Sequence, residues 1–294
     1  MADKFPTPRS KVGFSEPQHR QRVSATARRL ANMGMALPDH LVQEGREWYP
    51  KVHEASAKFI GQETAEGHKI TNIHQAAGVV AAVSPSMDFE GKNIKALDEL
   101  RGMTREHWDV IRHSTNQPNR TEEARSMLRE VAPSMSVQGD RNLLKAQRIM
   151  AGEQWHDVLP LQTAPKTHHF TLNIAEPGRD TGVTVDGRHN DIIVNRMMSW
   201  TEHDRGISSA ATSSGKPTRY EVMEDITRAA GRSAGRRDER FAGIHPHDMQ
   251  AILWVGGKWL ERGGGVMKQG PTRVGQRYTD SRGNLNAALF RDQR

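Results

Sequence analysis

Apolar positions along this chain recur mostly at helical spacing. Leu41, Trp48, Val52, Ala55 and Phe59 share one face of a 3.6-residue repeat, which predicts a helix over 37–59 with Pro38 near its first turn. Pro50 within that stretch predicts a kink or a division into two helices. A preceding helix is expected over 22–35, ending near Gly34. The most apolar run is Ile73–Val83, with Asn72 placed to cap it and Pro85 to close it. Its small residues (Ala76, Ala77, Gly78, Ala81, Ala82) allow close approach of another helix, so it reads as a buried central helix. The β-branched Val79, Val80 and Val83 make a strand the competing reading, and the length of the run favours a helix.

Further helices are expected over 93–100, 141–151, 166–175, 187–200, 220–230 and 247–262. The stretch 101–136 is polar and poorly periodic, with a short helical portion around 122–131. His247–Arg262 carries Met249, Ile252, Leu253 and Leu260 on one side behind Pro246; Trp254 and Trp259 in it read as core packing rather than base-stacking surfaces. Val183-Thr184-Val185 is a short extended piece leading to Asp186, a natural N-cap. No internal repeat is present. The pattern is all-α, with a flexible arm over 1–20, a helical domain over 21–262 and a flexible Gly/Arg-rich tail over 263–294.

Composition narrows the classes. The 294 residues include no cysteine, which excludes a disulfide scaffold, thiolate metal sites, iron–sulfur clusters and a thiol nucleophile. Mean hydropathy is −0.75, and no apolar run approaches the roughly 20 residues of a membrane span. Met1–Ser10 lacks the apolar core of a secretory signal, so a soluble cytoplasmic protein is expected, in a bacterial host cytoplasm if phage-encoded. The formal net charge of +7 suits a polyanionic partner, and Arg232, Arg236, Arg237 and Arg240 form a basic run. The 14 histidines include no His-Glu-x-x-His or i, i+4 His pair, so no metal site and no cofactor are expected.

Three segments, taken in order, say more. The first is the apolar helix running into Ser84-Pro85-Ser86-Met87-Asp88-Phe89, followed by Asn93. The second is Leu161-Gln162-Thr163-Ala164-Pro165-Lys166-Thr167, opening a helix. The third is Val183-Thr184-Val185-Asp186-Gly187-Arg188-His189, opening another. This order resembles the helix-hairpin-helix DNA glycosylases over about residues 70 to 200, and is similar to a group of actinophage proteins with the same layout. The resemblance implies a two-lobed helical bundle that binds double-stranded DNA carrying a flipped or modified base. It implies catalytic roles for Asp186 and Lys166, which lie 20 residues apart. It implies DNA or substrate contacts from Ser84, Ser86, Met87, Phe89, Asn93, Gln162, Thr163, Thr167, Arg188 and His189. The chain departs from the family where a Gly-x-Gly turn should donate amides to a phosphate: those positions read Gln162 and Ala164, and Pro165 removes a donor.

The chemistry fits these residue types. Breaking an N-glycosidic bond builds positive charge on the sugar, and a fixed carboxylate such as Asp186 stabilises it or orients water. A plain helix cap is the alternative role. Lys166 at a helix start is a candidate Schiff-base nucleophile, with a phosphate or surface lysine as the alternative. Met87 or Phe89 can fill the hole left by an extruded base. Two further functions stay open: a phage thymine-hypermodifying transferase on the same fold, joining an amine or amino acid to an activated 5-hydroxymethylpyrimidine, and a non-catalytic DNA-binding or host-interaction protein. The oligomeric state is open.

Overall fold

A computed structural model describes residues 16–84, 92–135, 139–197, 219–263 and 275–287. Among them are twelve α-helices, two short 3-10 turns and no strand; Glu63–Lys69 and Thr279–Leu285 are isolated β-bridges. The chain is all-α, and no described helix is long and apolar enough to cross a membrane. It divides into two compact units, one formed by 1–49 with 178–294, the other by 50–177.

The 50–177 unit is built around α3 (Ile73–Ala82), eight of whose ten residues are buried. As expected, Asn72 caps it, accepting from Gln75 N at 2.9 Å. The small residues serve close packing against α7 (Asp140–Met150) and α9 (Pro165–Ala175). A Cβ at Gly78 would lie 3.0 Å from Trp155 Cβ, in α8 (Trp155–Val158). Gln75 extends from α3 to donate to Ile149 O at 2.9 Å, satisfying a carbonyl at the end of α7. Around this centre lie α4 (Lys92–Arg101), α5 (Arg105–Thr115) and α6 (Glu122–Val131). The helix α5 occupies sequence that reads as poorly periodic; it is held by the buried Trp108 and Ile111.

The other unit contains α1 (Glu16–Met35), α10 (Gly187–Val194), α11 (Arg219–Gly235) and α12 (Pro246–Glu261) around one apolar core. Leu30, Met33, Met223, Ile252, Leu253 and Leu260 are fully buried there. The helix α2 (Asp39–Ala57) begins in this unit, continues through Pro50 and ends in the other. A Cβ at Gly45 would lie 2.5 Å from Ile252 Cα, so only glycine permits that approach of α2 to α12.

Two boundaries differ from expectation. The α1 helix starts at Glu16, inside the stretch read as a flexible arm. The helix read as 187–200 stops at Val194, because Asn195 turns left-handed at φ 57° and its side chain clamps Thr279: Oδ1 accepts from Thr279 N at 3.0 Å and Nδ2 donates to Thr279 O at 2.8 Å. Part of the stretch read as a flexible tail is therefore docked. Residues 275–287 bury Tyr278 and Thr279 in this unit, because a tyrosine and a backbone clamp anchor an otherwise Gly/Arg-rich segment.

Candidate active site

The segment ahead of α10 is extended and fastened by α11. Tyr220 OH donates to Val183 O at 2.7 Å and accepts from Val185 N at 3.1 Å, and Glu224 Oε1 accepts from Val183 N at 2.8 Å. Three backbone groups that would pair in a sheet are satisfied by two side chains instead. Burial pushes the Glu224 carboxyl up to about 7 and the Tyr220 phenol well above its ordinary value.

This rail ends at Asp186, the half-buried N-cap of α10. Its Oδ1 accepts from His189 N at 2.7 Å, and its Oδ2 accepts from Trp254 Nε1 on α12 at 3.2 Å. Both oxygens have a donor, so the carboxylate is fixed in orientation at a helix N-terminus, where negative charge is favoured. The Lys258 ammonium lies 4.5 Å and the Arg188 guanidinium 5.7 Å from the Trp254 ring centroid, each in cation–π range. Arg188 also pairs with Glu261 Oε2, whose other oxygen accepts from Tyr278 OH at 2.7 Å. Burial opposes the Arg188 charge, but the Glu261 and Asp186 carboxylates favour it and its pKa is raised.

The neighbours of Asp186 are not the exposed contacts the resemblance implies. His189 is fully buried, with Nε2 2.8 Å from Thr227 Oγ1, so its ring is not placed to touch a phosphate. Burial lowers its pKa to about 4. Arg188 is spent on Glu261, and Ser84 is buried with its hydroxyl donating to Ala81 O at 2.9 Å. Asn93 lies within α4. Ser86, Met87 and Phe89 lie outside the described residues.

The second candidate segment belongs to the 50–177 unit, so Lys166 and Asp186 fall in different units. Gln162 and Thr163 are exposed in the turn before α9, and Lys166 is half-buried in its first turn. The turn contains no positive φ, and its amides fold back: Thr163 N and Ala164 N donate to Pro160 O at 3.2 and 2.8 Å. They are not offered to a phosphate as a Gly-x-Gly turn would offer them. Thr167 donates to Ala164 O at 3.1 Å, closing the turn from the helix side. Behind it, His168 Nδ1 is 2.9 Å from Leu159 O and its ring centroid is 4.8 Å from that of Trp155; burial lowers its pKa. Among the described residues no group of three or more His, Asp or Glu is placed to hold a metal ion.

Nothing in the sequence pattern marks Trp254, Glu261, Tyr278, Tyr220 and Glu224 as site residues. The only local signal was the aromatic content of the last long helix, and it pointed to the core. A family model described as a family of unknown function (DUF7178) matches residues 15–261. The chain belongs to this family. The matched span includes the whole Asp186 rail and Trp254, while Tyr278 lies beyond it. No curated protein and no solved structure matches the chain.

Proposed function

We propose that the chain is a DNA-binding enzyme that processes a flipped nucleobase on a helix-hairpin-helix glycosylase-like scaffold, with Asp186 as its central carboxylate. The hold on Asp186 carries this reading. An extended rail pinned by Tyr220 and Glu224 delivers the residue, and two donors orient its carboxylate. A carboxylate fixed in this way stabilises positive charge as it grows on a deoxyribose, with no reorganisation during reaction. Arg228, Arg232 and Arg236, spaced i, i+4, i+8 along α11 and just past it, line a groove of about 430 Å3 in the same unit. Arg228 is paired with Asp180, whereas Arg232 and Arg236 are exposed and have no partner among the described residues. They supply the contacts to backbone phosphate.

The test is turnover on duplexes carrying varied bases, followed by mass spectrometry of the digested nucleosides. Asp186→Asn should lower turnover by about 100-fold or more with DNA affinity retained. Asn caps a helix as well as Asp does, so the fold should persist. Loss of a base denotes excision; a gain in nucleoside mass denotes the transferase version. A borohydride-trapped adduct that vanishes in Lys166→Ala assigns that lysine the nucleophile's role. The second reading, a non-catalytic DNA-binding or host-interaction protein, is favoured by the inward-turned amides of Thr163 and Ala164. Tight duplex binding with no change to any base would select it.

A further inference from the structure

A cavity of about 730 Å3 opens in the 50–177 unit among the end of α5, the turn 116–121, α6 and the start of α7. That volume is in the range of small-molecule sites. Four guanidiniums line it, from Arg120, Arg125, Arg129 and Arg141, against one lining carboxylate, Asp140. Asp140 is already engaged on both oxygens, by Arg120 Nε at 2.5 Å and Ser114 Oγ at 2.7 Å. Arg125 and Arg129 share a single acid outside the lining, Glu122, at 3.2 and 2.9 Å. Arg141 is exposed and has no partner among the described residues. Among the described residues four guanidiniums thus meet two carboxylates, an excess of two positive charges.

The start of α7 adds donors. Its N-cap is Gly139, which has no side chain to accept from the first turn. Asn142 N turns to Gly139 O at 2.9 Å, while the amides of Asp140 and Arg141 have no acceptor among the described residues. Unpaired amides at the positive end of a helix, beside under-neutralised arginines, favour a multiply charged oxyanion. The remaining lining is Pro118, Gly139 and hydroxyl or amide side chains, with no aromatic ring, so the cavity offers no platform for a base.

We propose that this cavity binds a small phosphorylated anion carrying two or more negative charges, held by Arg141, Arg129 and the first amides of α7. The site is independent of Asp186 and of the function proposed above. Free phosphate esters and a nucleic-acid backbone share the recognised chemistry, and the assignment is to the free ester.

The experiment is calorimetric titration of the full chain with inorganic pyrophosphate at constant ionic strength. Saturable binding is expected, weakened about tenfold or more in Arg141→Ala. Gly139→Asp is the second variant. Gly139 has φ −67°, and a Cβ there meets nothing within 4 Å, so aspartate fits and caps α7 with its own carboxylate. This variant should keep or raise Tm while losing pyrophosphate binding. Absence of saturable binding, or binding unchanged in both variants, overturns the site. A short duplex that displaces pyrophosphate, and itself loses affinity in Arg141→Ala, overturns the free-ester assignment; no displacement supports it. Asp186→Asn should leave pyrophosphate binding unchanged, and a change there would overturn the independence of the two sites.

Discussion

Asp186 and His189 face each other across the first turn of α10, and their environments give them different work. Asp186 is half-buried and accepts from two donors; His189 is wholly inside. The tautomer of His189 follows from its partner. Thr227 Oγ1 donates to Met223 O at 2.8 Å, so it accepts from His189, which therefore carries its proton on Nε2. Among the described residues Nδ1 has no partner. Burial depresses the pKa from 6.5 to about 4, so below pH 6.5 the unfolded chain binds a proton that the folded one refuses. The contribution is complete above pH 6.5 and is lost as pH falls toward 4, by about 3 kcal/mol. Glu224 runs the other way. Burial raises its pKa to about 7, so its contribution is present below 4.5 and is lost as pH rises through 7. The opposed slopes hide each other in wild type, and His189→Gln separates them, since glutamine keeps an N–H for Thr227. Denaturant melts at pH 7 and pH 4 should show the stability gap moving by about 3 kcal/mol in the variant's favour. A gap independent of pH would mean that the ring is not buried as a neutral base.

The elements show where local pattern suffices and where it fails. The helices α3 and α12 are legible because dense apolar faces and strong boundary residues agree: Asn72 before one, Pro246 at the start of the other. Asp186 is legible as a cap for the same reason, from its residue type after an extended piece. The helix α5 is not, since its Trp108 and Ile111 are too sparse to mark a period. The groups around Asp186 are not either: Trp254, which donates to it, lies 68 residues away in sequence, and Tyr278, which donates to Glu261, further still. The end of α10 is not legible either, because the sequence pattern continues past Val194 while a distant backbone stops the helix. Asn195 is left-handed at φ 57° and holds Thr279 through three hydrogen bonds. Asn195→Ala should cost about 2–4 kcal/mol, from the left-handed penalty and the groups left unpaired. Asn195→Gly should cost less, since it keeps the turn and loses only the clamp. Chemical denaturation of the two variants checks the order; equal losses would assign the whole effect to the clamp.

For the molecule as a whole, net charge was readable from the sequence, but the distribution of usable charge was not, because pairing is set by tertiary structure. Arg240 in the basic run is neutralised by Asp238 and Asp39, and Arg188 by Glu261, whereas Arg237 is held by two uncharged acceptors, Asn32 Oδ1 and Ser233 O. Arg232 and Arg236 keep their charge for a ligand. Each guanidinium that neutralises a backbone phosphate releases condensed counterions and adds about 0.9 to the slope of log affinity against log salt. The Arg232→Ala, Arg236→Ala double variant should therefore bind duplex DNA more weakly and show a slope shallower by about 1.8. Arg237→Ala should change the slope less than either of these substitutions, because Asn32 Oδ1 and Ser233 O hold its guanidinium in place. Fluorescence anisotropy over a salt series measures all three. Equal slopes for wild type and the double variant would remove α11 from the interface, and a flat profile for wild type would remove DNA as the partner.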